Sequence, residues 1–163
     1  MPARRYLREE LLAAAVGFSH PQTVRFQDVD AAGIAFFPRI FEYCHDAFVR
    51  WLAAAGEPLP VALLTQSWAG PLVHAEADFL RPMHFGDELH IAIVAAELSG
   101  STLTLGYRLT LAELPVPRGP RVRVSGEVVA VAQTVHVFVT PKTFQRMPPP
   151  PRITEAVARL TAR

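Results

Sequence analysis

Two aspartates, Asp28 and Asp30, stand two residues apart at the start of the segment FQDVDAAGIAFFPRIFEYCHDAFVRWLAAAG, residues 26–56, ahead of a long apolar run introduced by Pro38. This order puts the Asp30 carboxylate a few residues before a helix N-terminus, where unpaired backbone N–H groups and the helix dipole favour negative charge. Such a turn can hold a reactive carboxylate beside donors for a developing oxyanion. It can equally be an Asx-type cap, the ordinary use of an aspartate before a helix. Asp28, on the incoming segment, reads as a structural hydrogen-bond partner or capping group.

Two other groupings carry reactive side-chain types. Cys44-His45-Asp46 contains a nucleophile, a base and an acid, but neighbours on a helix diverge by about 100°, so these three cannot meet as one triad. Cys44 reads as a packed small hydrophobe. His45 and Asp46 are polar groups on a largely buried helix and need partners. His74, Glu76 and Asp78 alternate along one strand face, and a histidine with carboxylates is able to ligate zinc or a harder cation. A polar strand face, solvated or at a subunit contact, is the preferred reading, so no metal site is assigned. The glycines match neither the nucleoside-triphosphate nor the dinucleotide phosphate loop.

The elements that must position these residues follow from periodicity. Tyr6, Leu7, Leu11 and Ala14 recur at helical spacing and predict a short N-terminal helix within Ala3 to Ala15. Thr23 to Gln27 alternates as a half-buried strand, with Val24 and Phe26 inward, and delivers the chain to the two aspartates. Pro38 suits a first helical turn and Gly56 a stop, with Ile40, Phe41, Cys44, Ala47, Phe48, Trp51, Leu52 and Ala55 between them at intervals of three and four. That helix should be mostly buried. A loop rich in turn residues follows, then three β-type runs, Pro71 to Phe79, Glu88 to Leu98 and Thr102 to Ala112, separated by Gly86-Asp87 and Ser99-Gly100. Arg121 to Thr140 is either one strongly bent strand or two strands meeting near Ala132 and Gln133. Pro148 to Pro151 forms an extended spacer, and Ile153 to Ala162 closes the chain as a short helix. One central helix followed by an antiparallel meander is an α+β pattern.

Composition narrows the classes. At 163 residues, half of them apolar, the chain fits one domain with a proper core. Its net charge of +1 and scattered basic residues offer no footprint for nucleic acid or an anionic membrane. Leu11 to Phe18 is too short and alanine-rich for a secretory or spanning segment, so a cytoplasmic location is expected. Cys44, the only cysteine, permits no internal disulfide and suits reducing conditions. The cations are fifteen arginines and a single lysine, Lys142.

Three segments, DVDAAGIAFFPRIFEYCHDAF, HAEADFLRPMHFGDEL and TVHVFVTP, resemble corresponding segments of the 4-hydroxybenzoyl-CoA thioesterase family over about residues 22–145. Within that family the AAG turn, the CHDA run and the PLVHA stretch look most like the 1,4-dihydroxy-2-naphthoyl-CoA hydrolases, with the 4-hydroxybenzoyl-CoA enzymes close behind. The resemblance implies a hotdog fold, an antiparallel sheet wrapped around one long central helix, as a single domain over 1–163 with residues 1–20 and 146–163 as extensions of the core. It implies hydrolysis of an aromatic acyl-CoA, with Asp30 as the carboxylate, whether nucleophile or general base, and backbone N–H groups around Gly33, Phe36 and Phe37 polarising the thioester. It further implies a homodimer or homotetramer with sites at the subunit boundary, where His45 and Asp46 contact the acyl group, and no cofactor, coenzyme A being part of the substrate. By charge alone, Arg118, Arg121, Arg123 and Lys142 are candidates for its phosphates. Phe36-Phe37 stands where a related aliphatic acyl-CoA subgroup carries Tyr-His, which leans the expected acyl group toward an aromatic one. The competing expectations are a thioesterase for short or branched aliphatic groups, a hotdog dehydratase and a non-catalytic acyl-CoA-binding module.

Overall fold

The computed structural model describes residues 5–112 and 124–162. Helix α1 (Arg8–Ala13) is shorter than its apolar spacing predicts, and β1 (Phe18–Thr23) ends where the expected strand was to begin. Residues Phe26–Asp28 instead form a 3-10 turn. The cause is Asp28, whose carboxylate accepts the Arg25 N–H at 2.9 Å and curls the chain off the sheet. Val24 stays buried, but Phe26 is 75% exposed and meets the Phe85 ring edge-on instead of facing the core.

Helix α2 (Arg39–Ala54) matches its expectation closely. The φ of −68° at Pro38 fits the first turn, and Gly56 at φ +83° supplies the left-handed residue that ends it. Ile40, Tyr43, Cys44, Ala47, Phe48, Trp51 and Leu52 form its buried face. The following segment, read as loop, contains a further short helix, α3 (Leu59–Leu64). Pro58 and Pro60 begin that helix as well as barring continuation of α2, since proline is tolerated in a first turn.

Four more strands, β2 (Leu72–Phe79), β3 (Glu88–Ser99), β4 (Thr102–Leu111) and β5 (Val128–Val137), join β1 in one antiparallel sheet of order β1-β3-β4-β5-β2. The meander is β3-β4-β5, while β2 crosses to the far edge and pairs with β5. Within the described part of the Arg121 to Thr140 stretch there is a single strand, whose register against β4 passes through Ala132 and Gln133 without a break. One face of the sheet presents Leu89, Ile91 and Ile93 from β3 and Leu103, Leu105, Tyr107 and Leu109 from β4 to the buried face of α2. Each such side chain contributes about 1.5–3 kcal/mol by leaving water. This is the hotdog arrangement that the motifs imply.

The extensions pack onto this frame. Helix α4 (Pro151–Thr161) adds Ile153, Ala156 and Val157 to the main core. On the opposite face, Leu11 joins Ala92, Val94 and Val131, so α1 covers what a five-stranded sheet would otherwise expose. Gly106 on β4 permits the approach, because a Cβ there would run into Leu11 Cδ2. Arg108 Nη1 donates to the carbonyls of Leu11, Leu12 and Ala14 at 3.2, 2.8 and 2.8 Å, satisfying groups that the end of a short helix leaves unpaired. Among the described residues no helix is long and apolar enough to cross a membrane.

Candidate active site

The turn between β1 and α2 is built around Asp28. Its carboxylate is fully buried and accepts from Arg25 N–H at 2.9 Å, Arg25 Nε at 3.0 Å, Arg25 Nη2 at 2.9 Å and Tyr43 Oη at 2.9 Å. Burial alone would raise its pKa, but the bonds from Arg25 and Tyr43 outweigh it and hold the group below its ordinary value. Arg39 closes the far side with Nε at 3.7 Å from Asp28, Nη1 on Glu42 at 2.8 Å and Nη2 on the Gln27 carbonyl at 3.3 Å. The Asp28 carbonyl in turn accepts the Phe36 N–H at 2.8 Å, so both ends of the loop are tied to one residue.

Asp30 sits on the open side of this frame. Its Oδ1 accepts the Ala32 N–H at 2.8 Å, its own N–H donates to the Ile34 carbonyl at 2.9 Å, and its carbonyl accepts the Gly33 N–H at 2.9 Å. The Asx-type turn is thus present. Gly33 has φ +76° with nothing within 4 Å of a would-be Cβ, so its requirement is conformational and not one of space. The exposed Asp30 carboxylate keeps its second oxygen outside the turn's hydrogen bonds.

The second wall comes from residues 79–86, part of the segment HAEADFLRPMHFGDEL. Ile34 pairs with His84 as an isolated bridge and Ala35 N–H donates to the Met83 carbonyl at 2.8 Å. Between the two walls lies a cavity of about 440 Å³, lined by Asp30, Phe36, Phe37, Phe79, Arg81 and Met83 among others. Phe36 and Phe37 meet edge-to-face with centroids 5.1 Å apart, and both are substantially exposed. Of the amides expected to face an oxyanion, those of Gly33 and Phe36 are already engaged, whereas the Phe37 N–H has no backbone acceptor among the described residues.

The other expected site residues lie elsewhere. His45 and Asp46 are exposed on α2 and neither lines the cavity with Asp30. His45 leans toward Phe48, ring centroids 6.1 Å apart, while Asp46 faces β1, where burial and Arg50 lower the pKa of His20 against its opposing pull. Cys44 is fully buried, and burial pushes its thiol pKa up. Lys142 is exposed beyond the end of β5. Arg118, Arg121 and Arg123 lie outside the described residues. His74 binds Glu76 at 2.9 Å, and Glu76 also receives Gln133 Nε2 and stands 3.9 Å from Arg5. Among the described residues no three His, Cys, Asp or Glu side chains converge to hold a metal.

Tyr43 and Arg81 were not singled out by sequence reasoning. Tyr43 had a usable signal, its place one turn from Ile40 and Ala47 on the apolar face of α2 with a hydroxyl that burial obliges to find an acceptor. Arg81 had none beyond lying in a segment shared with other hotdog proteins.

Residues 24–157 match the thioesterase-like superfamily. A 1,4-dihydroxy-2-naphthoyl-CoA hydrolase of Nostoc punctiforme is 34% identical over 140 residues, 86% of each chain. That of Synechococcus elongatus is 34% identical over 137 residues, 83% of this chain and 91% of its own. Among solved structures, a 1,4-dihydroxy-2-naphthoyl-CoA thioesterase from Synechocystis superposes with a TM-score of 0.74 at 28% identity, covering 86% of this chain and 95% of that one. A gentisyl-coenzyme A thioesterase, at 24% identity and a TM-score of 0.70, shares the fold over 85% of this chain and 98% of its own.

Proposed function

The chain is a thioester hydrolase belonging to the thioesterase-like superfamily, and from that premise we propose that it cleaves an aromatic acyl-CoA of the hydroxybenzoyl or dihydroxynaphthoyl type to the free acid and coenzyme A. The observation that carries the reading is the cavity itself, where an exposed carboxylate at Asp30 shares one space with the rings of Phe36, Phe37 and Phe79. Asp30 attacks the thioester carbonyl or activates the water that does. The Phe37 N–H at the head of α2 stabilises the negative oxygen that forms. Gly33 and Phe36 act through the backbone bonds that shape the turn.

In this reading the working unit is a homodimer. Strand β2 is an edge strand and shows Leu72 and Val73 at 51% and 59% exposure, a combination that favours pairing with a second copy. His45 and Asp46, exposed on α2 and away from their own chain's cavity, then meet the acyl group held by the neighbouring copy. Lys142, with Arg118, Arg121 and Arg123, is left for the coenzyme A phosphates. No cofactor enters the reaction, and a reducing, cytoplasmic setting suits the buried thiol of Cys44.

A thiol-release assay over benzoyl, 4-hydroxybenzoyl, dihydroxynaphthoyl and aliphatic CoA esters tests the reading. Preference for the aromatic esters by a factor of roughly ten or more in kcat/KM is expected, and equal or better turnover of the aliphatic esters would refute it. Light scattering of the purified chain reads the oligomer independently.

A further inference from the structure

Arg81 is the cation on the wall of the Asp30 cavity, and the lining around it is otherwise mostly apolar, with Ile34, Phe36, Phe37, Phe79 and Met83 among its members. Its side chain is 63% exposed, which leaves the guanidinium accessible from the cavity mouth. It is not loose, however. Nε donates to Glu127 Oε1 at 2.9 Å and Nη1 to the Leu80 carbonyl at 2.9 Å, while Nη2 has no partner among the described residues. A planar cation held by two of its nitrogens presents the third in a fixed direction, which is how arginine recognises an oxygen acceptor without a further ordering cost.

The geometry points to Arg81 as a specificity residue for the acyl group, donating Nη2–H to a phenolic or carboxylate oxygen on its ring. This assignment rests on the aromatic acyl-CoA reading above. The acyl end is favoured over the coenzyme A phosphates because Arg81 shares its cavity with Asp30, where the thioester carbon must lie, and the pantetheine arm carries the phosphates many bonds away. Glu127 is the positioning residue, holding Arg81 through Nε.

The test compares wild type with Arg81→Gln and Arg81→Lys on benzoyl-CoA and 4-hydroxybenzoyl-CoA, and on the N-acetylcysteamine thioesters of the same two acids, which lack phosphate. Arg81→Gln is expected to lower kcat/KM for both hydroxylated esters by roughly tenfold while changing the unsubstituted ones less than about twofold, and Arg81→Lys should recover only part of the loss. Glu127→Gln should move the same ratio in the same direction, which a merely structural role would not. An unchanged ratio of hydroxylated to unsubstituted substrate overturns the assignment, as does a loss confined to the coenzyme A esters, which would place a phosphate at Arg81. If wild type hydrolyses no aromatic thioester at all, the function reading itself falls, a result distinguishable from the failure of Arg81 alone.

Discussion

Asp28 and Asp30 are the same residue type two positions apart, and the fold separates them by what reaches their oxygens. Four donors close on Asp28, whereas Asp30 spends one oxygen on the Ala32 N–H and turns the rest to the cavity. Asp30→Asn keeps an oxygen for that turn bond and removes only the ionised carboxylate. Thiol release should therefore drop by about two to four orders of magnitude, with an unchanged denaturation midpoint, and turnover at the wild-type rate would exclude Asp30 from the chemistry. Asp28→Asn leaves the Arg25 and Tyr43 donors competing for a weaker acceptor at a buried position. It should cost about 2 kcal/mol in urea unfolding, discounted because Arg25 is half exposed. The structural reading of Asp28 was available from the sequence, because an aspartate at the close of a strand segment before a helix has few other uses. Its partner Tyr43 was not, because that bond spans 15 residues and depends on how α2 lies across the turn.

At the scale of elements, α2 was legible because its apolar residues recur at three and four between a proline and a glycine, a pattern that no strand produces. The strands β3 and β4 were legible from their turns. Two features were not. The end of β1 is set by the side chain of Asp28 and not by alternation, so Phe26 looked inward on pattern and faces outward in fact. The place of β2 at the far edge is a matter of non-local pairing, which no local period encodes. The N-terminal extension is the element with the thinnest support, a six-residue helix too short to persist alone. Its attachment draws on the three carbonyl bonds from Arg108, on the bare Cα of Gly106 and on the Tyr6 N–H bond to Gln133 Oε1. Arg108→Ala should raise hydrogen exchange over residues 8–14 by tenfold or more while leaving thiol release unaffected, since the helix lies on the sheet face opposite α2. Unaltered exchange would mean that the apolar contacts of Tyr6, Leu11 and Ala14, with the Tyr6 N–H bond to Gln133 Oε1 at 2.9 Å, suffice to hold the segment.

The stability of the whole molecule should depend on pH through a group that takes no part in the proposed chemistry. His136 on β5 is almost fully buried, its ring stacked on Phe48 at 4.3 Å, with Nδ1 at 3.1 Å from the Gly70 carbonyl and Nε2 at 3.2 Å from Thr134 Oγ1. Burial lowers its pKa from 6.5 to about 4, with the Gly70 bond opposing and His45 adding slightly to the fall. The folded state therefore binds the proton less readily than the unfolded chain. Above pH 6.5 both states are neutral and the histidine imposes no penalty. As pH falls from 6.5 toward 4 the unfolded state takes up a proton that the native state refuses, so stability declines, by about 3 kcal/mol in all. Asp28 acts lower on the scale, its contribution being present above its ordinary 3.8 and lost as pH falls through its depressed value. The two windows adjoin, and in the upper one His136 outweighs the partly buried His20, whose pKa is lowered in the same direction. Urea unfolding at pH 7.5, 6.0 and 4.5 should show the decline in wild type, and His136→Asn should flatten most of it. A wild-type stability that stays level from pH 7.5 to 4.5 would show that the buried ring is protonated in place without loss, contrary to its surroundings.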